Sequence, residues 1–288
     1  MTPGPAVPFG TGTLTFTDGA TVPALGIGTY RMGQAASSRQ REIAALQLAL
    51  DLGVRVIDTA EMYADGGAER VVGAALGGGR RDRAFVVSKV LPSNASRSGV
   101  MAACERSLKR LAIERIDLYL LHWRGATPLV QTVDAFEELV RRGSIVRWGV
   151  SNFDLDDMHR LFELDPGARC AANQVYYSAS RRGVEFDLAP WMSGQRMPLM
   201  AYCPFDEGRL LGDRTLAAIG RKHGVSTAQV ALAWLLSRPG VIAIPKAGSV
   251  EHVRDNAAAP NLHLTAEDFE LIDRNFPPPK RKQGLSVV

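Results

Sequence analysis

Cysteine is scarce in this chain. The 288 residues hold three, Cys104, Cys170 and Cys203, an odd number with no Cys-x-x-Cys pair and no Cys/His cluster. Neither a disulfide framework nor a zinc site is indicated, and the thiols read as reduced groups of a cytoplasmic protein. No stretch of 18 consecutive apolar residues occurs, so no membrane span is expected. The opening "MTPGPAVPFGTGTLTF" has no basic segment followed by an apolar run, so no export signal is expected either. Charge of one sign is not concentrated. The formal net charge is +4, and the densest basic run, "PPPKRKQG" at 277 to 284, lies in the tail and reads as solvated rather than as a nucleic-acid contact. A mildly positive field does suit a phosphorylated small molecule. Linkers rich in Pro, Gly or Ser are missing too, which points to one domain over residues 1–288. Aromatic residues are only 7%, but 46% of the chain is apolar and 22% charged, a composition able to bury a sizeable core.

What is present is a repeat. After "TLTFTDGATVPALGIGTY", which alternates like a small hairpin running into a first core strand, short apolar runs recur between helical stretches. They are "ALGIG" (24 to 28), "VRVID" (54 to 58), "AFVVSK" (84 to 89), "IDLYLLH" (116 to 122), "IVRWGVS" (145 to 151), "AANQV" (171 to 175), "PLMAYC" (198 to 203) and "VIAIP" (241 to 245). The intervening segments have helical period, with Ile43, Leu46 and Leu50 on one face of the first and Val100, Cys104, Leu108 and Leu111 on one face of another. The last interval has room for two helices. Strands apolar on both faces, alternating with helices, imply a parallel sheet covered by helices. Eight units at this length predict a (β/α)₈ barrel with a short N-terminal β-hairpin.

Such barrels carry their working residues at the C-terminal ends of the strands. Here the exits read Asp58, Lys89, His122, Ser151 with Asn152, Gln174 and Tyr202. Singly, each is an ordinary turn or cap residue; together they converge on one face. Tyr63 follows Asp58 by five positions. A phenol with an ordinary pKa of about 10 is a poor acid at neutral pH. A nearby lysine ammonium favours the phenolate and is expected to bring the phenol's pKa down, an aspartate keeps the lysine charged, and a histidine can donate to the same oxygen. This set delivers a proton to an oxygen on which negative charge is building, as carbonyl reduction by hydride requires. Glu61, between Asp58 and Tyr63, has no task in this scheme and reads as solvated or as a local turn partner.

The ordered segments "GVRVIDTAEMYADGGAERVVGAAL", "VVSKV", "IDLYLLHW", "VRWGVSNF", "NQVYY", "AYCPF" and "IPKAGSVEHVRDNAA" resemble the signature segments of the aldo-keto reductases. The resemblance covers nearly the whole chain, and "TAEMYADGGAE" with "LLHWRG" is most similar to bacterial aldehyde reductases of the methylglyoxal-reductase kind. It implies an NADPH-dependent oxidoreductase, with NADH use possible, that acts as a cytoplasmic monomer on a small-molecule carbonyl. Nucleic acid and membrane have no part in that picture. Tyr63 would be the proton donor, Asp58 and Lys89 the pair beside it, and His122 the group that orients the carbonyl. Ser151, Asn152 and Gln174 would hold the nicotinamide carboxamide, and Tyr202 would stack on its ring. Pro204, Phe205, Arg209 and Leu210 fall in the loop over the pyrophosphate. Lys246, Gly248 and Ser249 open a helix whose free N–H groups suit an anion, with Lys246 implied for the 2′-phosphate and Asp255 and Asn256 for the adenine side. The substrate wall would draw on Tyr30, Met32, Met62, Leu91 and Trp123.

The chain departs from the family pattern after Lys246. Ala247 and His252 stand where the family often has Ser and Arg, so a hydroxyl and a planar guanidinium fork are absent. NADPH remains the expected cofactor, with dual or relaxed use the alternative. "GIGTYRMG" is not a dinucleotide fingerprint, because it lacks the third glycine and an acid about 20 residues on. A glycosidase would need a carboxylate pair, and a lysine aldolase would leave Ser151, Asn152 and Gln174 without a task. A cofactor-binding, redox-sensing regulatory subunit is the alternative from another class. The C-terminal "FPPPKRKQGLSVV" either borders the active-site mouth or hangs as a loose tail.

Overall fold

A hairpin comes first, and a barrel follows. The computed structural model describes residues 12–287. Strands β1 (Thr13–Thr15) and β2 (Thr21–Pro23) pair antiparallel around a turn in which Gly19 takes a φ of +86°, a conformation open chiefly to glycine. Eight strands then pair in parallel: β3 (Gly26–Gly28), β4 (Val56–Asp58), β5 (Phe85–Val90), β6 (Ile116–Leu121), β7 (Ile145–Ser151), β8 (Asn173–Tyr176), β9 (Leu199–Tyr202) and β10 (Val241–Ala243). Neighbours follow chain order from β3 to β10. Parallel bridges from Leu25 to Ala243 and from Gly28 to Lys246 join the last strand to the first, so the sheet closes into the expected (β/α)₈ barrel. Each apolar run in the sequence coincides with one of these strands, β5 and β8 reaching one residue past the end of theirs.

The helices are α1 (Arg39–Asp51), α2 (Gly67–Ala75), α3 (Arg97–Leu111), α4 (Leu129–Arg141), α5 (Leu155–Phe162), α6 (Leu188–Gly194), α7 (Arg214–His223), α8 (Thr227–Leu236), α9 (Val250–Ala258) and α10 (Ala266–Asn275). The predicted pair in the last interval is α7 and α8. Their ends follow from local chemistry. Ser96 accepts from Gly99 N at the start of α3, Asp213 caps α7, and Ser226 with Gln229 makes a capping box on α8. No helix of the described residues is long and apolar enough to cross a membrane.

Alternation along the strands makes two cores. Val86, Val90, Tyr119, Leu121 and Ala243 point outward into the layer between sheet and helices. Val56, Phe85, Val87, Leu118, Leu120, Ala172, Met200, Ile242 and Ile244 fill the barrel interior. The hairpin plugs the N-terminal end, because Phe16 and Val22 belong to the interior cluster and Phe16 stacks on Phe85 with ring centroids 5.3 Å apart. Arg147 lies over both rings and pairs with Asp18.

The basic run of the C-terminal segment is largely exposed, as expected, but the segment is tied down rather than loose. Lys282 Nζ lies 3.0 Å from Asp156 on α5 and 3.9 Å from Asp187 at the start of α6, and Leu285 packs against the outer core. Arg182, buried, ties Glu185 to Asp273 of α10 and to the Phe276 carbonyl. The tail is thereby laid across the segments that follow β7 and β8.

Candidate active site

The interior-facing positions of the strands continue in register into a polar layer. Val56 is followed two residues on by Asp58, Val87 by Lys89, Leu120 by His122, Ala172 by Gln174, Met200 by Tyr202 and Ile244 by Lys246. Because successive inward side chains are two residues apart, these six groups stand above the apolar plug at the C-terminal mouth. Ladder bonds hold that rim beyond the strand ends: His122 N donates to Val90 O, and Asn152 N to Gln174 O.

Lys89 is fully buried. Its ammonium donates to both Asp58 oxygens at 2.7 and 2.8 Å, to Thr59 O at 2.9 Å, and lies 3.4 Å from the Tyr63 hydroxyl. Burial lowers the lysine's pKa, and the charge and hydrogen bonds of Asp58 act against that shift. Gln174 Nε2 donates to the same Asp58 Oδ1 at 2.8 Å, which leaves the amide oxygen of Gln174 outside that bond.

The expectation that Lys89 brings the Tyr63 pKa down does not hold in this structure. Burial comes first and the Asp58 charge second in pushing the phenol well above its ordinary value. The physical reason is proximity: the lysine's field is cancelled by the carboxylate beside it, and desolvation of a phenolate is left uncompensated. Tyr63 is therefore held in its protonated form. His122 packs edge-on to Tyr63, with centroids 5.8 Å apart. Burial, then the Lys89 charge, pushes its pKa down to about 3, so the imidazole is neutral at ordinary pH. Among the described residues, its Nδ1 is buried without a partner.

The amide and hydroxyl groups of the rim form one chain of bonds. Ser151 Oγ donates to Gln174 O, Asn152 Nδ2 to His122 O and to Ser151 Oγ, and Tyr202 OH to Asn152 Oδ1. Asn152 takes a φ of +58°, so its side chain turns back over the rim. Next to it, Cys203 and Asp206 also have positive φ. Asp206 was not anticipated from the sequence. It accepts from Tyr176 OH at 2.6 Å and Ser180 Oγ at 3.0 Å and pairs with Arg181 and Arg209. Burial raises its pKa, and these hydrogen bonds outweigh that and hold it below the usual carboxylate range. Pro204 is buried and Phe205 half-buried beside Asp206, with Arg209 exposed.

Lys246 is exposed, and among the described residues no ion pair engages it. A Cβ on Gly248 would meet the Lys246 ammonium at 2.8 Å, so the glycine makes the space in which that ammonium rests. Ser249 caps α9 by accepting from His252 N, and His252 is exposed. Asp255 is engaged elsewhere, accepting from Ser226 Oγ at 2.7 Å, and Asn256 is buried.

Tyr30, Met62 and Trp123 are exposed, and Leu91 is half-buried. Tyr30 packs edge-on to Tyr63 at 5.3 Å, and Trp123 lies 4.9 Å from His122. Two expected residues turn away. Met32 has no exposed surface and sits in the outer core, because the loop after β3 bends back under itself with Met32 N bonded to Thr29 O. Leu210 is likewise 2% exposed and packed in that core.

Glu61 also differs from its reading as a solvated bystander. The residue is only 8% exposed. Its carboxylate accepts from Leu91 N at 2.8 Å and Asn94 Nδ2 at 2.9 Å, and Arg106 approaches at 3.5 Å. Glu69 was missed as well: fully buried on α2, it accepts from Ser88 Oγ and pairs with Arg110. Among the described residues, no group of His, Cys, Asp and Glu is placed to hold a metal ion.

Comparison with known proteins gives concordant results. The model of the aldo/keto reductase family matches residues 24–275. Methylglyoxal reductase YeaE of Escherichia coli is 48% identical over 278 residues, covering 95% of this chain and 98% of that protein. Glyoxal reductase of Bacillus subtilis is 33% identical over 258 residues, covering 89% and 90%. Among solved structures, an aldo-keto reductase from Klebsiella pneumoniae in complex with NADPH is 49% identical with a TM-score of 0.93, covering 96% of this chain and 99% of that one.

Proposed function

Since the chain belongs to the aldo/keto reductase family, an NAD(P)H-dependent class of oxidoreductase, we propose that it reduces small aldehydes and ketones, 2-oxoaldehydes such as methylglyoxal among them, to alcohols. The observation that carries this is the buried set at the mouth: Lys89 within 2.8 Å of both Asp58 oxygens, and Tyr63 kept protonated 3.4 Å from the ammonium. The donor set around it suits a dinucleotide. Ser151, Asn152 and Gln174 offer the mixed donors and acceptors a carboxamide needs, Tyr202 offers a ring face, and the free Lys246 ammonium over Gly248 offers a counter-charge for a phosphate. NADPH is the cofactor this reading takes, and when bound it supplies the hydride.

The protein's own part is proton supply and orientation. A neutral His122 donates a hydrogen bond to the carbonyl oxygen and fixes its position. Tyr63 gives its proton to that oxygen as negative charge builds there. The phenolate left behind faces the Lys89 ammonium, so the interaction with the cation strengthens only as the proton leaves, which favours the transition state over the ground state. Asp58 holds the ammonium in place and charged. Tyr30, Met62, Leu91 and Trp123 offer an apolar wall at the mouth, which matches the short carbon skeleton of a 2-oxoaldehyde. The reading is supported by the activities for which the similar Escherichia coli and Bacillus subtilis proteins are named and by NADPH in the Klebsiella pneumoniae structure.

The test is loss of NADPH absorbance with methylglyoxal and with a simple aromatic aldehyde, repeated with NADH. Turnover with NADPH, at a lower Michaelis constant than with NADH, is expected. Cofactor binding without turnover across an aldehyde panel would replace this reading with the regulatory one. A clear preference for NADH would remove Lys246 as a phosphate contact.

A further inference from the structure

Glu61 lies two residues before Tyr63, and its carboxylate grips the chain two residues after Lys89. Leu91 N and Asn94 Nδ2 both donate to Oε1, at 2.8 and 2.9 Å, while Glu61 N itself donates to Lys89 O at 3.3 Å. The loop that carries Tyr63 and the strand exit that carries Lys89 are thus stitched at two points. Both points lie within two residues of a proposed catalytic group. The ladder between β4 and β5 cannot do this, since β4 ends at Asp58 and its last registered pair is Asp58 with Val87. Beyond that pair, Thr59 N bonds to Val87 O, and the Glu61 bonds carry the alignment onward.

We propose that Glu61 is a positioning residue that sets the gap between Tyr63 and Lys89 and the placing of Leu91 at the substrate wall. This rests on the reading of Tyr63 and Lys89 given above. The work is done by one acceptor oxygen of the right reach; the approach of Arg106, itself half-exposed, is incidental. A carboxylate shielded from water gives each donor a stronger bond than solvent would, and displacement of a reacting group by about 1 Å costs on the order of 100-fold in rate.

The test compares Glu61→Ala, Glu61→Gln, Asn94→Ala and Tyr63→Phe in the full chain. For each, kcat, the Michaelis constant for methylglyoxal, NADPH affinity from quenching of protein fluorescence, and the pH profile of kcat are measured. Glu61→Ala is expected to lose at least about tenfold in kcat, to bind NADPH within about twofold of wild type, and to shift the alkaline limb of its kcat profile. Glu61→Gln keeps an acceptor at the same reach and is expected to recover most of the lost kcat. Asn94→Ala, a change in a half-buried loop residue that leaves Glu61 and Leu91 paired, is expected to lose a smaller factor and serves if Glu61→Ala does not fold. Wild-type kcat in Glu61→Ala, or in Asn94→Ala when the former is unfolded, overturns the proposal, as does a Glu61→Gln no better than Glu61→Ala. Tyr63→Phe separates the two layers of argument: if it turns over normally, the proposed chemistry fails and not merely its brace.

Discussion

Replacing Asp58 by Asn removes the counter-charge of a lysine that has no exposed surface, and the cost can be bounded from both ends. Breaking a buried ion pair from one side costs about 3–5 kcal/mol. The lysine can escape part of that by shedding its proton. At pH 7 this costs about 4.6 kcal/mol, from about 1.36 kcal/mol for each of roughly 3.4 pH units below its ordinary value. The two estimates agree, so the loss falls between about 3 and 5 kcal/mol. Unfolding a chain of 288 residues releases roughly 0.6 kcal/mol per kelvin, which makes the expected drop in Tm about 5–8 °C. Differential scanning calorimetry reads it directly. In Asp58→Asn/Lys89→Met both charges are gone, and the apolar replacement is expected to recover at least about half of the lost Tm. Turnover behaves differently: both variants are expected to lose on the order of 100-fold or more in kcat, because neither offers a fixed cation to the phenolate. An Asp58→Asn protein as stable as wild type would refute the buried-pair argument. Normal turnover in the double variant would refute the role given to Lys89.

Two further predictions concern titration and stability. With its pKa pushed down to about 3, His122 is neutral in the folded protein where the unfolded chain would already be protonated, so stability from this group is present above about pH 6.5 and is lost as pH falls toward 3, by up to about 1.4 kcal/mol per pH unit. NMR of the imidazole should show no titration between pH 5 and 8, and a midpoint near 6.5 would contradict the assignment. Asp268, whose side chain is fully buried, accepts from Thr265 N and pairs with Lys222 and His223, hydrogen bonds that outweigh burial and hold it well below the usual carboxylate range. Asp268→Ala is expected to cost about 2–4 kcal/mol in urea unfolding with kcat unchanged. The difference from wild type should shrink as pH falls below about 4, and a loss under about 0.5 kcal/mol would show the α7–α10 contact to be held otherwise.

The barrel was legible because its strands are apolar on both faces, a pattern that β5, "FVVSKV", shows most clearly, every residue being buried. The two-residue period also carried the mouth, since Asp58, Lys89, His122, Gln174 and Tyr202 each continue an inward row. Other features depend on where loops turn. Met32 has the composition of a pocket wall, but the bend after Thr29 tucks it into the core. Glu61 looked solvated because its partners, Leu91 N and Asn94, lie 30 and 33 residues away in the chain, and one of them is a backbone group that no side-chain pattern announces. Asp206 is hidden for the same reason, as it gathers Tyr176, Ser180 and Arg181 only once β8 and β9 are adjacent. The direction of the Tyr63 pKa is hidden in the sequence because residue types reveal the cation but not the desolvation that outweighs it.

Tyr63→Phe isolates the proton-donor step, since it deletes one hydroxyl from a half-buried ring and leaves the Lys89–Asp58 bonds untouched. Wild type and variant are titrated with NADPH by fluorescence and then assayed for NADPH oxidation with methylglyoxal. Matched NADPH affinity is expected, with kcat lower by about 100- to 10,000-fold in the variant. A variant that binds NADPH equally and reduces methylglyoxal within a few-fold of wild type would contradict the role given to Tyr63.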